Sequence, residues 1–250
     1  DSCHIGASAS AWHQGNRPHR QGRAEPWRQN IKEHKKLTMS RQSSNPHYPV
    51  AREGWGYTIG LLTLGLISTL LGGTGWAIFC FLLALCVAAF FRDPERLPPT
   101  EPGAVASPAD GKVIAIEETE RGGTMVGIFL AVYDVHINRS PVAGTIQETE
   151  HKPGQFLAAF NKNAAKANEQ NAIDILTNSG ENFRVVQIAG LIARRIVCWY
   201  GKGDTIALGE RIGLIQFGSR TDLHLPPGYT VEVSLGERVC GGETVIARAS

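Results

Sequence analysis

The sequence contains no CxxC pair and no His/Cys spacing of the kind that holds a metal. Its five cysteines, Cys3, Cys80, Cys86, Cys198 and Cys240, stand apart. That excludes a disulfide scaffold and fits reduced thiols in a chain whose bulk is cytoplasmic. Neither sign of charge is in excess. With 25 basic and 23 acidic residues the formal net charge is +2, so no global field draws the chain to nucleic acid. Aromatic residues are few, at 8%, beside 28 glycines, a balance suited to a turn-rich β protein. The GERVCGGETV segment, 236–245, has no lysine of the type that carries lipoyl or biotin, which argues against a swinging-arm carrier.

One further absence shapes the N-terminal part. Residues 56–91, GYTIGLLTLGLISTLLGGTGWAIFCFLLALCVAAFF, include no charged side chain. As a single helix they would run to about 54 Å, far beyond the ~30 Å of a bilayer's hydrocarbon core. The GGTG run from Gly72 to Gly75 divides them in two. Arg52 precedes the segment and Arg92 and Arg96 follow it, which puts both ends on the cytoplasmic side. A membrane-associated helical hairpin over 49–91 is therefore expected, with a single span at 73–91 as the alternative. Ahead of it, residues 1–48 form a basic arm. Its first 38 residues carry four His and seven Arg or Lys with no helical or strand period, and Met39 offers an alternative start.

Beyond the Pro-rich stretch RDPERLPPTEPG, 92–103, the texture changes. Short β-type runs alternate with turns at 112–118, 125–133, 183–190, 194–200, 211–217, 229–235 and 243–248, and only 155–170 reads as a helix. GDTIALGERIGLI, 203–215, is echoed by GERVCGGETVIA, 236–247, which predicts two similar hairpin-like units. The expected fold is mainly β, a catalytic domain over 92–250 with one short helix behind a membrane-embedded helical segment. The repeat, with PADGKV (108–113) as a partner strand, resembles the barrel-sandwich architecture of carrier domains.

The chemistry centres on IGLIQFGSRTDLHLP, 212–226. A serine hydroxyl can attack the carbonyl before it, and glycine there leaves that carbonyl unhindered and tolerates strained dihedrals. The resulting ester can eliminate to dehydroalanine, which hydrolyses to a pyruvoyl group and ammonia. Such a carbonyl forms a Schiff base with an amine and accepts electrons as CO2 leaves. By itself a Gly-Ser dipeptide is an ordinary turn. His136 is the best-placed general acid–base, at the end of an apolar run and able to exchange a proton near neutral pH. His151 and His224 read as structural or solvated.

Six segments in order, PADG (108–111), YDVHINRSPVAG (133–144), HKPGQF (151–156), NEQNAI (168–173), QIAGLIARRIV (187–197) and RIGLIQFGSR (211–220), resemble phosphatidylserine decarboxylase, in its short bacterial and archaeal form. The resemblance covers 92–250 and, in character, the apolar segment. It implies self-cleavage between Gly218 and Ser219, with Ser219 becoming a covalent pyruvoyl cofactor and the two fragments staying together as a heterodimer. It places the family's other site positions on Asp110 and His136, with Asp134 and Arg139 as further candidates. Asp110 is assigned mainly to maturation and His136 mainly to turnover. Arg139 stands where longer relatives carry a second His, and being always charged it cannot act as a base, so the base that deprotonates Ser219 stays open. Arg139, Arg194, Arg195 and Arg220 are candidates for the lipid phosphate. The implied substrate is phosphatidylserine and the implied location the cytoplasmic face of the cell membrane, held by 56–91. A pyruvoyl decarboxylase of another amino-lipid or amino acid, and a non-catalytic membrane-tethered lipid-binding β module, are the alternatives.

Overall fold

The computed structural model describes residues 49–120, 122–155, 167–190, 195–216 and 219–250, all within one unit running from Pro46 to Ser250. The uncharged run forms two helices, α1 (Arg52–Leu70) and α2 (Thr74–Phe90). Gly72, at φ +80°, makes the turn between them, and the Gly73 amide donates back to the Ser68 carbonyl at 2.8 Å. Small residues let the helices meet: a Cβ on Gly65 would lie 2.8 Å from the Phe81 ring. No helix among the described residues is long and apolar enough to cross a membrane. That includes α2, the core of the alternative single span. The hairpin nevertheless carries its apolar side chains outward, with Leu70 at 78% and Leu71 at 82% exposure beside the turn.

The β part comprises β1 (Ala104–Ala106), β2 (Gly111–Glu118), β3 (Thr124–Leu130), β4 (Ile137–Arg139), β5 (Gly144–Lys152), β6 (Gln170–Leu176), β7 (Asn182–Ile188), β8 (Ile196–Cys198), β9 (Thr205–Ile206), β10 (Arg211–Ile215), β11 (Ser219–Leu225), β12 (Tyr229–Val231), β13 (Arg238–Val239) and β14 (Val245–Ala249). An eight-stranded antiparallel sheet has the order β13-β2-β3-β11-β7-β6-β5-β9. Two small sheets, β4-β10-β8 and β1-β14-β12, complete the fold. The main core gathers Val105, Ile128, Ile146, Phe183, Leu223 and Ile246 from the large sheet and the β1-β14-β12 sheet.

The expected strands are present, somewhat shortened. The expected helix at 155–170 lies largely outside the described residues. Within it Ala167 is helical, while its outermost residues are not: Gln155 bridges Asn168, and Gln170 opens β6. The 33-residue echo is real but its units are not hairpins. In each, a two-residue strand joins one edge of the large sheet, β9 at one end and β13 at the other, and the following five-residue strand takes the centre of a small sheet. The duplication reaches further upstream. Ser107-Pro108-Ala109-Asp110-Gly111 and Ser140-Pro141-Val142-Ala143-Gly144 are also 33 residues apart. The two serine hydroxyls donate to the carbonyls of Ala109 (2.7 Å) and Val142 (2.6 Å). The halves then grip each other: the Arg139 amide donates to the Pro108 carbonyl and the Ala106 amide to the Pro141 carbonyl, both at 2.9 Å. A Cβ on Gly111 would sit 2.2 Å from the Phe129 carbonyl oxygen, and on Gly144 2.4 Å from that of Leu176, so both positions exclude a side chain. Where one half has Asp110, the other has Ala143.

The foot of the hairpin is sewn to this β part. The Ala51 amide donates to the Phe91 carbonyl at 2.8 Å and the Asp93 amide to the Pro49 carbonyl at 2.9 Å. Phe90, Phe91 and Ala51 pack with Val135, Ile137 and Leu214. Burying a ring such as Phe91, 1% exposed, is worth about 1.5–3 kcal/mol.

Candidate active site

The chain changes sheets between β10 and β11. Phe217 and Gly218 lie outside the described residues, and Ser219 opens β11. There Ser219 pairs with Leu130 of β3, and β11 runs on between β3 and β7, in the interior of the large sheet. Ser219 is fully buried, and its Oγ has no hydrogen-bond partner among the described residues. A buried unsatisfied hydroxyl costs about 1–3 kcal/mol.

β10, the strand before this junction, holds the backbone at His136. The Ile215 amide donates to the His136 carbonyl at 3.2 Å, and Ile137 pairs with Leu214. The His136 side chain is fully buried. Its Nδ1 lies 2.8 Å from the Asp134 carbonyl oxygen, which can only accept, so Nδ1 carries the hydrogen and Nε2 the lone pair. Burial drives the imidazole down to about 4, outweighing the hydrogen bond to Asp134 and the Asp134 charge, which raise it, while Arg92 lowers it further. At neutral pH the ring is therefore uncharged and presents Nε2 as a proton acceptor.

The acidic candidates are held by partners. Asp134 accepts from the Ala131 amide at 2.8 Å and pairs with Arg238, which fixes the turn leading to His136. Asp110 accepts from the Gly241 amide and from Arg96 Nη2, each at 2.7 Å. Burial raises its carboxyl above the ordinary range, opposed by the Gly241 amide and the Arg96 charge. Arg139 donates to the carbonyls of Gly209 (3.0 Å) and Pro94 (2.8 Å) and pairs with Asp93, and burial lowers it to about 10. It pins the Pro-rich stretch to the domain. Arg220 is buried on Asp222 at 2.5 Å. Neither of these arginines is open to a lipid phosphate. Arg195 is exposed, and Arg194 lies outside the described residues. His151 is exposed beside Glu169 at 3.0 Å, and burial lowers His224, half-buried on β11.

A family model for phosphatidylserine decarboxylase matches residues 83–247, from within α2 to the middle of β14. The chain belongs to the phosphatidylserine decarboxylase family. Among its curated relatives, the phosphatidylserine decarboxylase proenzyme of Nitrosomonas eutropha is 44% identical over 207 residues, covering 81% of this chain and 96% of the relative. The proenzymes of Nitrosomonas europaea and Desulfotalea psychrophila are 43% and 44% identical, covering 82% and 81% of this chain and 98% of each relative.

Within this decarboxylase-family site, sequence reasoning missed a row of buried amides. Asn171 Nδ2 donates to Gln187 Oε1 (2.9 Å), Gln187 Nε2 to Asn138 Oδ1 (2.8 Å), and Asn138 Nδ2 to Thr221 Oγ1 (3.0 Å). Asn138 also reaches the Pro108 carbonyl, which fixes which end of each amide points where. The row ties the strand that follows His136 to the strand that begins with Ser219. The available signal was polar residues, Gln187 above all, inside otherwise apolar β runs.

Proposed function

We propose that this chain is a membrane-held zymogen that cuts itself between Gly218 and Ser219 and then decarboxylates phosphatidylserine to phosphatidylethanolamine. The observation that carries the reading is the buried, unpartnered Ser219 hydroxyl at the sheet junction, with the backbone of neutral His136 held by the strand before it. The names of the relatives, decarboxylase and proenzyme, point the same way.

In the maturation step the Ser219 Oγ–acyl bond forms as the Gly218–Ser219 amide breaks. The Oγ proton passes through His136 Nε2 to the departing nitrogen. Elimination then frees the Gly218 carboxylate, and water replaces ammonia at the new terminus. The pyruvoyl group at 219 supplies a carbonyl that captures the substrate amine and takes up the electrons left by CO2. The protein's part in turnover is to exclude water, to order the surrounding turns through Asp110 and Asp134, and to hold a proton at His136. Starting neutral, His136 accepts a proton from the incoming ammonium group and returns it to the product carbon.

Denaturing gels and mass spectrometry test this directly. Purified protein should give a chain ending at Gly218 and a 32-residue chain, 219–250, with a blocked pyruvoyl terminus, and should release CO2 from phosphatidylserine. One intact chain that binds lipid without chemistry would make the protein a binding module. Release of CO2 only from other amines would redirect the substrate.

The hairpin supports membrane attachment from the cytoplasmic side. Arg52 and Arg92 both lie at its foot, and large apolar side chains along both helices are exposed, from Tyr57 and Ile59 to Leu82 and Leu85. The whole chain is expected to sediment with membranes. Leu70→Asp with Leu71→Asp should move it largely to the supernatant, because charge at the turn opposes burial in lipid. Wild-type protein that stays soluble without detergent would remove the membrane from the reading.

A further inference from the structure

His136 is touched by a residue that no strand supplies. Phe90, the last residue of α2, lays its ring against the imidazole with centroids 4.4 Å apart and planes 37° from parallel. Phe91 meets Phe90 edge-on at 5.0 Å and fills the space over Gly54, where a Cβ would come within 2.5 Å of its ring. The backbone bonds at the foot of the hairpin, described above, hold both aromatics in place.

We propose that Phe90 is a positioning residue for His136: its ring walls the imidazole off from water and fixes its plane, which makes the foot of the membrane hairpin one wall of the reaction site. The inference rests on the assignment of His136 as the proton-transferring group. The charges around the ring come from several directions. Asp134 stands on its own turn and is neutralised by Arg238 of β13. Arg92, just past Phe90, donates to the carbonyls of Ala89 (2.9 Å) and Tyr133 (2.7 Å). Asp110 is paired with Arg96, and β10 brings the uncharged Leu214 and Ile215. Asp134 and Arg92 act on the imidazole in opposite directions, so burial decides its protonation. Phe90 is a source of that burial which arrives from outside the β domain.

The test uses the full chain carrying Ser219→Ala in detergent micelles, so that neither cleavage nor turnover enters. The His136 imidazole is followed by NMR through a pH titration and assigned by the loss of its signals in His136→Gln. Phe90→Tyr should titrate like the parent. Phe90→Ala should raise the midpoint by about 1–2 units, toward the ordinary histidine value, as water reaches the ring. Phe90→Leu should fall between them, and in otherwise wild-type protein it should move the acid limb of kcat/KM in the same direction. A folded Phe90→Ala protein with the parent's midpoint overturns the proposal. If Phe90→Ala does not fold, a Phe90→Leu midpoint equal to the parent's does so. Absence of CO2 release would instead sink the decarboxylase reading while leaving the titration readable.

Discussion

Ser219→Ala is expected to leave the protein as one uncut polypeptide with no detectable release of CO2. The hydroxyl it removes is the attacking group of the proposed rearrangement, and no neighbouring side chain can replace it, since Arg220 and Asp222 are committed to each other and Thr221 accepts from Asn138. The fold should survive. Ala fits where Ser219 sits, and the change removes a buried hydroxyl that has no partner among the described residues. A cooperative thermal transition beside a single gel band would separate lost chemistry from lost structure. Efficient cutting of this variant at the same bond would end the serine mechanism.

His136→Ala and Asp110→Ala should fail differently. Burial lowers His136 to about 4, which leaves it uncharged at pH 7. It therefore begins each step as an acceptor, and its loss removes a transfer worth a factor on the order of 10²–10⁴. His136→Ala is expected to cut slowly or in part, and whatever is cut should release CO2 that many-fold more slowly. Asp110 holds the Gly241 amide and Arg96 in register. Asp110→Ala is expected to accumulate precursor, because the turn bearing Gly241 and the stretch bearing Arg96 lose their common anchor. Fragment yield beside CO2 release decides it. Near-normal turnover by cut His136→Ala protein would remove His136 from the mechanism. Full cleavage of an inactive Asp110→Ala protein would exchange the two roles.

The parts of the fold that could be read from the sequence are those where one property repeats along the chain. The uncharged run with its glycine break gave the hairpin, and runs such as KVIAIEE and FRVVQIAG gave strands. β11 escaped because SRTDLHL looks like a polar loop. Most of its polar side chains are buried, Arg220 and Asp222 answering each other within the strand and Thr221 being met by Asn138 of β4. β4 escaped because three residues, Ile137–Arg139, carry no period. The site shows the same division. Ser219 and His136 stood out through their motifs. Gly241, Arg238 and Asp93, which help tether Asp110, Asp134 and Arg139, lie 131, 104 and 46 residues away from them, at separations no local pattern encodes. The 33-residue echo was visible, while the destination of each half, one strand to each edge of the large sheet, depended on pairings only the folded chain makes.

Ser219 begins an interior strand, flanked on both sides and closed to water. Newly made proteins do not start in such places, because an ordinary amino terminus is cationic at neutral pH and stripping it of water is prohibitively unfavourable. Scission after folding, on the proposed route, creates an end where none could have been threaded. Conversion of that end to an uncharged keto group then removes the ammonium that would have driven the strand out. The downstream piece holds β11 in the midst of the large sheet and β14 at the centre of a small one. The two products are thus interleaved, and strong denaturant should be needed to part them.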